Sequence, residues 1–102
     1  MKVYDKLVRD RIPEIIEGSG KKCEIEIVSD EVVLKYLYNK LGEEVEELLS
    51  DKNIDEIADV IEVLFAIAKK YGYSESEVLE VRNSKKSGRG GFDNNIVLKK
   101  VF

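Results

Sequence analysis

The chain has 102 residues, enough for one domain (residues 1–102) built on a single core. Its charged fraction is 37%, its net charge is -4, and no run of about 18 apolar residues occurs; this argues against nucleic acid as the main partner and excludes a membrane-spanning helix. With no histidine and one cysteine, Cys23, it cannot form a Ser-His-Asp or Cys-His triad, an imidazole or all-cysteine metal site, or an internal disulfide.

Catalysis, if present, therefore falls to carboxylates, lysine, arginine, tyrosine or a bound metal. The opening "MKVYDKLVRD" lacks the apolar stretch and small-residue cleavage site of a secretory signal, which makes a cytoplasmic location the expectation.

"YDKLVRDRIPEIIEGSG" reads as a basic loop followed by a short helix, with Pro13 suited to its first turn and Gly18 and Gly20 ending it. "KKCEIEIV" alternates Cys23, Ile25 and Ile27 with Glu24 and Glu26, a strand period. From about Ser29 the period changes. Val33, Leu34, Leu37, Leu41, Val45 and Leu48 recur at helical spacing, predicting a long helix to about Leu49, with Gly42 marking either a local break or a close backbone approach. "SDKN" is the expected turn. Asn53, with Glu56 three residues on, opens a second long helix as a capping box, and that helix stops at Gly72. Ser74 and Glu77 repeat the signature and open a third helix to about Asn83. "SKKSGRGGFDNN" then reads as a basic glycine-rich loop, and "IVLKKVF" as a strand whose evident partner is "CEIEIV". The expectation is a mainly α domain with a small terminal β pair, residues 22–28 with 96–101.

The carboxylates in "LGEEVEELL" are not equivalent. At about 100° per residue, Glu43 and Glu46 point toward water, whereas Glu44 lies at the edge of the apolar arc with Glu47 beside it. In the next long helix Glu56 and Asp59 share a stripe with Val63, Ala66 and Ile67. An ionised carboxylate buried without a partner costs several kcal/mol. The short turn makes these helices antiparallel neighbours with both acidic pairs at the turn end. Four carboxylates converging without histidine or thiolate select a hard cation, Mg²⁺ before Mn²⁺ or Ca²⁺. Two alternatives remain open: Glu56 as a helix cap only, and neutralisation of the others by Lys35, Lys40 or Lys52.

A metal held by carboxylates commonly serves phosphates. Lys85, Lys86 and Arg89 in the glycine-rich stretch are the leading phosphate-binding candidates, and Lys6, Arg9 and Arg11 near the N-terminus, with Lys40, are further ones. Either group can equally be ordinary surface charge. No P-loop is present, because no Gly-Lys-Ser/Thr occurs.

"LGEEVEELL" followed by "DEIADVIEVL" resembles the EExxE…ExxD pattern of the MazG-like all-α nucleotide pyrophosphohydrolases, a superfamily that includes phosphoribosyl-ATP pyrophosphohydrolase of histidine biosynthesis. "YDKLVRDRIPEII" and the terminal "KxxxRGGF" look like a small single-domain branch of it, so the resemblance covers nearly the whole chain. It implies an antiparallel helical bundle of that type. The pattern falls on Glu43, Glu44 and Glu47, then Glu56 and Asp59, and implies Glu44, Glu47, Glu56 and Asp59 as metal ligands. Eight residues separate Glu47 from Glu56, a shorter connection than many relatives have.

The expected activity is Mg²⁺-dependent hydrolysis of a nucleoside triphosphate, or a close analogue, to the monophosphate and pyrophosphate, with Mn²⁺ as a substitute. Glu43 or Glu47 would take the proton of the attacking water, and Lys85 and Arg89 would neutralise the departing pyrophosphate. The alternatives are phosphoribosyl-ATP pyrophosphohydrolase and a non-catalytic nucleotide-binding helical module. The nearly all-apolar "VIEVLFAIA" exceeds what a three-helix monomer can bury, so a homo-oligomer, dimer or tetramer, is expected.

Overall fold

In the computed structural model of residues 1–102, four helices follow one another: α1 (Ile12–Gly18), α2 (Asp30–Asp51), α3 (Ile54–Lys70) and α4 (Glu75–Arg89). Each long helix begins where the sequence supplies a cap. The Ser29 hydroxyl accepts from the Val32 amide at 3.3 Å, with Asp30 and Glu31 against the positive end of the helix dipole. α2 ends at Lys52, whose left-handed backbone (φ 53°) lets its N–H reach the Leu48 carbonyl at 2.9 Å. Asn53 follows at once, its side chain accepting from the Glu56 amide at 3.1 Å. The reversal is thus tighter than the four-residue turn expected.

α2 and α3 lie antiparallel. At the end remote from the turn they are tied by Lys70 to Asp30 at 2.9 Å and by the Tyr38 and Tyr71 hydroxyls at 2.7 Å. Between them Leu37, Val63 and Ile67 are buried, with Leu7, Val33, Leu41 and Ala66 packed around. These residues are the core of the protein, and the core positions the turn end. α4 opens with a complete Ser74/Glu77 capping box and leans only on α3, while α1 contacts no other helix.

Three expectations are revised. Gly42 is neither a break nor a close approach within the chain: α2 continues through it, and a Cβ there would have no neighbour within 4 Å. α4 continues past Asn83 to Arg89, so Lys85, Lys86 and Arg89 stand on a helix, not in a loop. Lysine and arginine are good helix formers, and Lys86 and Arg89 favour the last turn through the dipole; Gly90, at φ 84°, ends it. Finally, the chain has no strand. Residues 22–28 and 96–101 form no regular secondary structure and share no hydrogen bond, as an isolated two-stranded ladder with no layer to cover it is marginal in water.

Candidate metal centre

The turn end of the α2–α3 pair gathers the four carboxylates selected by helical geometry. One oxygen from each of Glu44, Glu47, Glu56 and Asp59 lies within 4.8 Å of every other. Glu44 is the only buried charged residue, 6% exposed, because it follows Leu37 and Leu41 along the face that α2 turns toward α3. The Asn53 cap receives the Glu56 amide, but the Glu56 carboxylate does not turn back to the cap, which frees it for the cluster. Glu47 is exposed; Glu56 and Asp59 are half-buried.

The cluster concentrates negative charge that its neighbours offset only in part. Glu44 Oε2 and Glu56 Oε2 are buried and have no hydrogen-bond partner. Leaving such an atom unsatisfied costs about 1–3 kcal/mol, more when it is charged. The carboxyl of Glu47 is pushed above its ordinary range, chiefly by the neighbouring charge of Glu44. That of Glu56 is pushed up first by burial and then by Asp51 and Asp59. Four carboxylate oxygens drawn this close are hard donors of the kind that would hold Mg²⁺. The donor set fits Mg²⁺ or Mn²⁺.

Cations frame the cluster without filling it. Lys40, one helical turn before Glu44, approaches Glu44 Oε1 at 3.2 Å and Glu43 Oε1 at 3.5 Å. Lys6 reaches Glu43 at 3.2 Å, and the Arg9 guanidinium donates to Asp59 Oδ1 at 2.8 Å. The expected outward position of Glu43 is therefore corrected: it is half-buried under Lys6 and Lys40. Burial opposes its charge, yet the Lys6 hydrogen bond and the two ammonium charges prevail and hold its carboxyl below the ordinary range. Glu46 stays exposed, as expected. Of the three lysines weighed as neutralising partners, only Lys40 engages; Lys35 and Lys52 form no ion pair.

Lys85, Lys86 and Arg89 are brought together elsewhere. With Arg82 they line an open hollow of about 660 Å³ at the end of α4, closed by Gly90, Gly91, Phe92 and Asp93, and no ion pair or hydrogen bond joins them to the carboxylates. A second hollow, of about 470 Å³, was not anticipated. It is lined by Asp5, Glu31, Val32, Lys35, Tyr36 and Asn39, and the Tyr36 hydroxyl donates to Asp5 at 2.7 Å. That bond raises the phenol above its usual value. The α2 part of its lining recurs at four-residue spacing in the sequence, Glu31, Lys35 and Asn39 beside Val32 and Tyr36.

No helix is long and apolar enough to cross a membrane. Set against models of known families, curated proteins and solved structures, the chain matches none of them.

Proposed function

We propose that the protein is a Mg²⁺-dependent pyrophosphohydrolase of the MazG-like type, splitting a nucleoside triphosphate or close analogue into the monophosphate and pyrophosphate. The observation that carries this reading is the convergence of Glu44, Glu47, Glu56 and Asp59 with two buried carboxylate oxygens left unpartnered. These four residues would hold the metal. Bound there, Mg²⁺ supplies charge stabilisation at phosphate and acidifies water.

The remaining roles follow from the surroundings of each side chain. Glu43 is held by two lysines and makes a poor proton acceptor. Glu47 is exposed and has no cation partner, so it is the carboxylate placed to take a proton from the attacking water. Lys6, Arg9 and Lys40 surround the cluster and provide charge-assisted hydrogen bonds for phosphate oxygens. This shifts phosphate binding from Lys85, Lys86 and Arg89, which nothing within one chain connects to the cluster. Tyr36 lies seven residues before Glu43, a helical rise of about 10 Å, so its hollow offers an aromatic wall for the nucleoside when the phosphates sit at the metal. Exposed apolar side chains on α2 and α3, among them Val45, Leu49, Ile57, Ile61 and Leu64, support a homo-oligomeric enzyme. The lone exposed thiol of Cys23 suits a reducing compartment such as the cytoplasm.

The decisive experiment incubates purified protein with Mg²⁺ and a panel of triphosphates, with phosphoribosyl-ATP included, and identifies the products. Monophosphate plus pyrophosphate is expected. Release of orthophosphate and a diphosphate would exclude the proposed bond cleavage, and tight binding without turnover would replace the enzyme with a nucleotide-binding module.

A further inference from the structure

The protein exposes far more surface than its mass requires. A compact monomer of 11.6 kDa has about 5,800 Å² of accessible surface, whereas this chain has 9352 Å². Its radius of gyration is 17.9 Å, against about 13 Å for a compact chain of this length. A standard interface covers only about 800 Å² per partner, so the excess is enough for a large obligate one. Much of it lies in two segments outside the helical pair. Residues 21–28 and 96–102 take part in no backbone hydrogen bond, and Ile25, Ile27, Ile96, Leu98, Val101 and Phe102 are all exposed.

Unpaired and largely apolar, such segments offer free backbone groups for strand pairing. Their charges are partly complementary: residues 22–28 carry Glu24 and Glu26 with Lys22, and 96–102 carry Lys99 and Lys100. One antiparallel register sets Ile27 against Ile96, Ile25 against Leu98 and Glu24 against Lys99, with Glu26 opposite Val97 and Cys23 opposite Lys100. A slip of one residue sets Ile25 against Lys99 and Glu26 against Leu98.

We propose that residues 96–102 of one copy pair antiparallel with residues 22–28 of a second copy of this chain, and reciprocally. Within the single chain the two segments share no backbone hydrogen bond. A two-fold exchange instead yields two ladders at once and seats each apolar arm on its neighbour. The proposal does not rest on the hydrolase reading.

Cys23 is the chain's one cysteine and makes the test direct. Opposite residues in an antiparallel pair lie about 4.5–5.5 Å apart between Cα atoms, inside the range a disulfide spans. On mild oxidation Lys100→Cys is expected to convert most of the protein to a covalent dimer, seen on a non-reducing gel. Val101→Cys, whose side chain leaves the opposite face, is expected to stay largely uncrosslinked, like the unmodified chain. A cross-linked monomer would place the pairing within one chain and overturn the exchange. Equal cross-linking of the two variants, or none in either, would overturn the register. Deleting residues 96–102 should lower the mass measured by light scattering while helical circular dichroism persists. An unchanged oligomer after deletion, or a monomeric full-length chain, also refutes the proposal.

Discussion

The acidic cluster at the α2–α3 turn and the basic end of α4 are equally conspicuous in the sequence, yet they are built differently. The acidic side chains come from two helices locked over the Leu37, Val63 and Ile67 core, and one of them, Glu44, is buried. Arg82, Lys85, Lys86 and Arg89 come from one helix that leans on a single neighbour, and all four are exposed. In water, like charges on a mobile surface relax and are screened; across a packed helix pair they cannot separate. The core, more than the density of charge, makes the first cluster the candidate site.

That contrast can be tested by its largest effects first. Glu44→Gln and Asp59→Asn should each lower turnover roughly 10²-fold or more, the scale of losing one preorganised charge contact at a reacting centre. Steady-state assays that found either variant unchanged would remove the cluster from the mechanism. Arg9→Ala and Lys6→Ala should each reduce kcat/KM by about 10–100-fold, equivalent to one charge-assisted hydrogen bond of about 1.5–3 kcal/mol.

The metal-free protein should also respond to pH in a sense that metal reverses. Glu47 and Glu56 hold their protons more tightly in the folded state than ordinary carboxyls do. Their contribution to stability is full below the ordinary carboxyl range and is lost as pH rises through their raised values. Glu43 acts oppositely, losing its contribution only as pH falls through its lowered value, beneath that window. Thermal melts without metal should therefore show Tm rising as pH falls from neutrality toward the ordinary carboxyl range, while the Tm increment from added Mg²⁺ shrinks over the same interval. A metal increment independent of pH would mean that the ion binds elsewhere. The smallest effect belongs to the basic patch: Lys85→Ala with Arg89→Ala should change kcat/KM by no more than about twofold, as for exposed, solvent-screened charges that form no ion pair with the cluster. A loss as large as that of Arg9→Ala would restore α4 to the site.

The helices were legible because their signals are local. Caps at Ser29, Asn53 and Ser74, and apolar residues three and four apart, locate α2 to α4 and divide the glutamates into inward and outward sets before any tertiary contact is known. Glu43 escaped that division because its cover comes from Lys6, 37 residues away, on a segment with no period of its own. Arg9 reaches Asp59 across 50 residues for the same reason. The end of α4 was misjudged because glycine content weighed more than the helix-forming lysines before it. The terminal β pair expected from the alternation in residues 22–28 does not form, because alternation marks a face but supplies no layer to cover it.

Gly42 turns these differences into a gauge. It lies in the middle of α2 on an exposed stripe with Tyr38, Val45 and Leu49, and a methyl group added there meets nothing within its own chain. For an isolated chain, Gly42→Ala should simply strengthen the helix by about 1 kcal/mol. If that stripe instead rests against another backbone, the same methyl group becomes an obstruction, and the sign of the stability change reads out, from one atom, whether α2 has a close neighbour.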